Sequence, residues 1–210
     1  MNGRKPVRRL LLVVMGIAAV AGVNLAQTPP IPQSEVQLRM ALHDAWDVHA
    51  RWTRSYVVSL LAGLPDSARV KTRLLEGAND VADAMNQYYP GTTLPELANV
   101  IKHNVLLTAR AAAAARDGDS LATAAARDNW SAGTDSMAKF LARTNPNWGD
   151  GRLGAVLQRY QDQTWRQIAA RARQDWTADI TACDQAHSEA LAVADLLTTG
   201  IVKQFPDRFK

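Results

Sequence analysis

The chain has 210 residues and is 47% hydrophobic and 21% charged, a composition typical of a globular protein that excludes disorder of the whole chain. Its net charge of +4 comes from four basic residues before position 10, since the remaining Lys and Arg are as numerous as the 20 Asp and Glu. A neutral remainder has no basic face for phosphates, so nucleic acid is not expected as a partner.

Residues 1–26 have the pattern of a secretory signal peptide or of an N-terminal anchor. The basic residues are Arg4, Lys5, Arg8 and Arg9, and an apolar run follows from Leu10 to Val23. This run is shorter than the roughly 20 residues of a spanning helix, and Ala19-Val20-Ala21 fits a cleavage site. We therefore expect export to the periplasm or the cell exterior. If the segment stays uncleaved, it would be the protein's only contact with a membrane.

The rest of the chain is predicted to be helical, because alanine is abundant and glycine and proline occur mainly between apolar-periodic segments. Residues 27–33 form a proline-rich spacer before a single domain at 34–210. The predicted helices cover 34–62, 65–87, 93–116, 120–143 and 152–203. The last span is too long to pack against the others as one rod, so a break is expected near 174–177. The expected fold is all-α, an antiparallel up-and-down bundle of five or six helices.

The first helix contains the segment HDAWDVHARW at residues 43–52. At 100° per residue, Leu42, Trp46, His49, Thr53 and Tyr56 fall on one stripe, which predicts that His49 points into the core. His43 lies about 120° away from His49. It is instead one turn from Asp47, which predicts a His43–Asp47 pair, and Asp47 can also reach Arg51.

In the final helix, apolar residues recur at spacings of three and four. This stripe contains Trp176, Ile180, Cys183, His187, Leu191, Ala194 and Thr198. It predicts that His187 and Cys183 face the interior, with Asp184 on the same side three residues before His187. Cys183 is the only cysteine, so the chain forms no internal disulfide.

If the first and last helices are neighbours, His49 would meet Asp184 and His187, with Cys183 and Tyr56 close by. Two imidazoles and a carboxylate suit a transition metal such as iron, zinc or manganese. The same residues also suit a buried polar layer that fixes helix register. Both interpretations remain open at this point.

Signatures of catalysis and of covalent haem attachment are absent from the sequence, so an enzyme is the less favoured class. His103 falls on the face of its helix opposite the apolar stripe and is expected in solvent. Trp148, in the loop after Pro146, fits either an exposed binding edge or a lid on the core.

Several short motifs are spread over nearly all of the chain after the apolar segment: Leu42-His43, Trp46, His49, Trp52-Thr53-Arg54, Leu64-Pro65-Asp66, Asn145-Pro146, Trp148, Gly200-Ile201 and Gln204-Phe205-Pro206. In these the chain resembles a family of small, exported, helical bacterial proteins that has no established activity. The resemblance implies that the His/Trp stretch belongs to a shared core. Some members carry a histidine near the position of Tyr160, which implies a smaller polar cluster in this chain.

Two functions remain open from the sequence. The first is an exported, non-enzymatic helical bundle that acts in the cell envelope through a partner such as another protein. The second is a metal-binding bundle with a site at His49, Asp184 and His187 between the first and last helices.

Overall fold

The computed structural model describes residues 31–89, 91 and 93–210. The predicted signal or anchor segment at 1–26 and most of the spacer therefore lie outside the described residues. Within the described part, the six α-helices are α1 (Gln33–Leu61), α2 (Ser67–Asp83), α3 (Thr93–Asp117), α4 (Ser120–Thr144), α5 (Arg152–Ala172) and α6 (Trp176–Gln204). Two short 3₁₀ turns cover Pro146–Trp148 and Pro206–Arg208. The predicted all-α bundle is confirmed.

The helix ends follow local chemistry. α1 stops where Gly63 adopts a left-handed φ of 64° and the Leu64 N–H bonds back to the Ser59 carbonyl. The predicted break in the long C-terminal span falls between Ala172 and Trp176. There the Asp175 carboxylate accepts a hydrogen bond from the Ala178 N–H, which caps the start of α6.

The second helix is shorter than predicted. It ends at Asp83, whereas the expected helix ran to Gln87. From residue 85 onward the chain makes tighter turns in which Met85 and Asn86 donate to carbonyls three residues back. These turns bury Met85 and Tyr88 against the core, a tertiary contact that apolar spacing alone did not predict.

Each helix packs against the next one in the chain, and α6 also packs against α1, which closes the bundle. α3 and α5 also contact α1, so these three helices approach one another inside the bundle. The main core contains Leu42, Val81, Leu97, Ile101, Leu141, Leu153, Leu197 and Ile201. None of the helices in the described ranges is long and apolar enough to cross a membrane.

The predicted inward stripe of α6 is wrong in its first half. Trp176 and Ile180 are 52% and 56% exposed, and the buried positions there are Asp179, Ala182, Ala186 and Ala190, one residue out of phase. Small side chains let α6 lie close to α5 and α1, whereas the Trp176 ring lies under the Arg171 guanidinium on the surface, 5.4 Å from it. The prediction followed the large apolar residues, and the packing follows the alanines.

Trp148 is a lid on the core. Its ring is buried against Tyr89, and its indole Nε1 donates to the Leu196 carbonyl at 3.2 Å. Of the two interpretations of this loop tryptophan, the structure supports the packing one.

Candidate functional site

A small internal chamber surrounds His49 at the centre of helices α1 to α5. His49 is 6% exposed, and its ring lies 5.5 Å from the Trp46 ring and 6.2 Å from the Tyr160 ring. The chamber has a volume of about 40 Å³, enough for roughly three water molecules. Its other polar lining residues are Thr53, Asn104, Thr108, Thr134, Gln161 and Thr164. The prediction that α1 turns His49 inward is confirmed.

The far wall of the chamber is a hydrogen-bonded group of neutral side chains. The Thr134 hydroxyl is bonded to the Gln161 amide and lies 3.3 Å from the Asn104 side-chain oxygen. By contrast, Trp46 Nε1 and His49 Nδ1 are buried and have no hydrogen-bond partner within the described part of the chain. Buried polar atoms are rarely left unpaired, so these two nitrogens stand out from the rest of the wall.

Burial fixes the ionisation of the two ring systems in the chamber. It lowers the pKa of His49 to about 4 and raises the pKa of Tyr160 to about 12. Side-chain hydrogen bonding with Thr53 and Thr164 opposes the effect of burial on the Tyr160 pKa only in part. Both rings are therefore uncharged at neutral pH, and no residue lining the chamber among those described carries a formal charge there.

A larger cleft opens on the surface between α1, α5 and α6, with a volume of about 510 Å³. His187 Nε2 lies 2.8 Å from a carboxylate oxygen of Asp47 in this cleft, and Asp47 also pairs with Arg51. The predicted Asp47–Arg51 pair is confirmed. The predicted His43–Asp47 pair is wrong, because His43 Nε2 instead lies 2.9 Å from Asp195 on α6.

Two further residues of the predicted site, Cys183 and Asp184, also line the cleft. Cys183 is half-buried, and burial raises the pKa of its thiol although the charge of Arg54 acts in the opposite direction. Asp184 is exposed. At neutral pH the cleft therefore presents a thiol rather than a thiolate.

The chamber and the cleft share one thin partition. Thr53, Tyr160 and Thr164 line both spaces, and the Tyr160 hydroxyl lies 3.4 Å from Thr53 Oγ1. This partition was not predicted. Its signal in the sequence is the spacing of Leu157, Gln161, Thr164 and Ile168, which puts polar residues on the buried stripe of α5.

The structure does not bring the predicted metal ligands together. His49 lines the chamber, whereas Asp184, His187 and Cys183 line the cleft on the other side of the partition. Tyr56 is buried elsewhere, against Leu74 and Val105. Across residues 31–89, 91 and 93–210 there is no group of three or more His, Cys, Asp or Glu side chains that could hold a metal ion. The cause is the phase of α6, which directs His187 to the Asp47 side of α1.

One further charged group, which is centred on Asp179, was not predicted from the sequence. The buried carboxylate of Asp179 on α6 accepts hydrogen bonds from Arg54 of α1 and Arg171 of α5 and so ties the three helices together below the cleft. His103, as expected, is exposed on α3.

Fold and site together define a helical bundle with a small neutral chamber beside an open polar cleft. Comparison with family models, with curated proteins and with solved structures found no match for this chain.

Proposed function

We propose that this protein is an exported, non-enzymatic helical bundle that acts by binding a small molecule in the cleft between α1, α5 and α6. The observation that carries the proposal is the cleft itself. Its volume of about 510 Å³ lies within the range of roughly 300 to 1,000 Å³ typical of small-molecule sites. Three helices supply its walls, and most of the residues that line it are polar or charged, including Asp47, Arg51 and Arg54.

The cleft also has an unused hydrogen-bonding group. Gln167 lines it and is 2% exposed, and its side-chain nitrogen finds no hydrogen-bond partner among the described residues. Arg51 and His187 add polar groups near the Asp47 carboxylate. Polar groups held in place by the fold are what orient a bound molecule.

A binding role fits these groups better than covalent catalysis does. Among the residues that line the cleft, Cys183 carries the thiol that could act as a nucleophile, and burial favours its unreactive protonated form. Export rests on the basic and apolar pattern of residues 4–23, and it would put the cleft in reach of molecules in the cell envelope.

The test is to fill the cleft with a side chain. Ser55 lines the cleft, and its hydroxyl donates to the Arg51 carbonyl of its own helix. We expect Ser55→Trp to abolish the binding of small uncharged fragments that shift the backbone amide signals of cleft residues in NMR spectra of the wild-type protein.

Ser136→Trp is the matched control. Ser136 makes the same bond one turn back on α4, to the Ala132 carbonyl, and it lies on the exposed surface away from the cleft. This variant should bind fragments like the wild type. Fragment shifts that persist in folded Ser55→Trp, or a wild-type protein whose cleft signals no fragment moves, would refute the proposed function.

A further inference from the structure

We propose that the chamber around His49 is a second binding compartment, which takes the uncharged amide or hydroxyl group of a ligand that enters from the cleft past Tyr160. This inference rests on the proposed function, because the remainder of the ligand would occupy the cleft. It assigns a chemical class to that ligand.

Two buried nitrogens in the chamber lack a hydrogen-bond partner among the described residues. Trp46 and His49 are three residues apart on α1, both line the chamber, and neither Trp46 Nε1 nor His49 Nδ1 has a partner in the described chain. The indole nitrogen can only donate a hydrogen bond, so the group that satisfies it must carry an acceptor atom, such as the oxygen of an amide or a hydroxyl. The neutral imidazole can donate or accept through Nδ1, depending on its tautomer.

The walls of the chamber carry no charge among the described residues. The described residues that line the chamber are apolar or neutral and polar, and His49 itself stays uncharged at neutral pH. An ion moved into such a space would lose its hydration without gaining a counter-charge. A carboxylate or an ammonium group is therefore excluded, whereas an amide or a hydroxyl can be satisfied by Asn104, Thr134 and Gln161 as well as by the two free nitrogens.

The size of the chamber and its access from the cleft also fit a small ligand group. A chamber of about 40 Å³ matches a group of roughly three or four non-hydrogen atoms rather than a whole cofactor. The side chains of Thr53, Tyr160 and Thr164 line both the chamber and the cleft. The contact of the Tyr160 hydroxyl with Thr53 is long at 3.4 Å, so rotation of the Tyr160 ring breaks no strong bond.

Acetamide is the probe that tests the compartment, because it combines one carbonyl acceptor with one amide donor in four non-hydrogen atoms. We expect it to bind the full-length protein with a Kd in the millimolar range and to shift the indole N–H signal of Trp46 in a saturable way. The Trp148 indole, which is already bonded to the Leu196 carbonyl, is the internal control and should not move.

Two variants complete the test. Trp46→Phe removes the donor, and Thr108→Met fills the chamber while leaving both nitrogens in place, so that one informative variant remains if the other fails to fold. Each folded variant should lose the acetamide response.

The outcomes separate this inference from the proposed function. Shifts at cleft residues without a shift at Trp46 would overturn the compartment and leave the cleft as a binding site. A Trp46 shift that persists unchanged in Ser55→Trp, with no response in the cleft, would overturn entry from the cleft. If the Trp46 indole signal does not move at acetamide concentrations well above the millimolar range, the chamber holds only water and the inference is wrong.

Discussion

Replacing Gly200 by alanine is expected to lower the free energy of unfolding by about 2 to 4 kcal/mol, through overpacking and a disrupted hydrogen bond. A Cβ on Gly200 would lie 1.9 Å from Trp148 Nε1 and 2.4 Å from its Cδ1. The indole cannot simply move away, because it is buried against Tyr89 and its N–H is bonded to the Leu196 carbonyl. Urea denaturation of both proteins measures the change.

Gly77→Ala is the matched control, since Gly77 is also a buried glycine in a helix. There the nearest atom to a new Cβ is the end of the Arg73 side chain at 3.6 Å, an ordinary contact. Alanine should stabilise that helix by up to about 1 kcal/mol. Equal effects of the two substitutions would show that Trp148 does not fill the space above Gly200.

Asp179→Asn is expected to cost about 3 to 5 kcal/mol of stability, which is typical when one partner of a buried ion pair is removed. The Asp179 side chain is 1% exposed, and it accepts hydrogen bonds at 2.9 Å from Arg54 and at 2.9 Å from Arg171. The asparagine keeps the shape but leaves two guanidinium groups without their counter-charge. Thermal and urea unfolding measure the loss.

The same carboxylate predicts a dependence on pH. Burial acts to raise the pKa of Asp179, but the hydrogen bonds and charges of Arg54 and Arg171 outweigh it and lower the pKa below its usual value. The stability that Asp179 contributes is therefore fully present above the unfolded pKa of about 3.9 and is lost as the pH falls through the folded value. In Asp179→Asn this part of the acid dependence should disappear.

Asp80→Asn provides the comparison for both effects. Asp80 pairs with Arg73 at 3.0 Å, but the pair is exposed on α2, where such pairs contribute about 0 to 1 kcal/mol. If Asp179→Asn cost no more than Asp80→Asn, the Arg54–Asp179–Arg171 group would not be the tie between α1, α5 and α6.

The fold could be predicted from the sequence because the residues that start and end its helices act locally. Gly63 and Asp175 act on the backbone within a few residues of themselves, so the C-terminal end of α1 and the start of α6 are visible without tertiary information. The end of α2 was not, because Met85 and Tyr88 gain their burial from distant parts of the chain.

The candidate site was predicted only in half. On α1 the large residues mark the buried stripe, so His49 was correctly turned inward. In the first half of α6 the buried apolar residues are alanines, and the larger Trp176 and Ile180 lie outside, so a hydrophobic stripe predicts the wrong phase. Close helix packing through small residues cannot be distinguished by hydropathy from an exposed alanine surface.

Part of the resemblance noted from the sequence rests on residues that pack together at one end of the bundle. The Tyr89 hydroxyl donates to Gln204 at 2.6 Å and accepts from Asn145 at 3.0 Å, and Trp148 lies over Gly200. These positions support the fold rather than the cleft, so they carry no information on the ligand.

Central to the proposed function is the placement of His49 in a buried, uncharged chamber and not beside Asp184 and His187. It is tested most directly by following the ring ¹⁵N signals of the histidines in the full-length protein as a function of pH, with the signals assigned by His49→Gln and His187→Gln. We expect His49 to remain neutral down to a midpoint of about 4. A carboxylate next to the ring would act in the opposite direction. A titration midpoint of His49 at or above the ordinary histidine value of about 6.5 would contradict its placement in the chamber. It would return His49 to a shared site with Asp184 of α6.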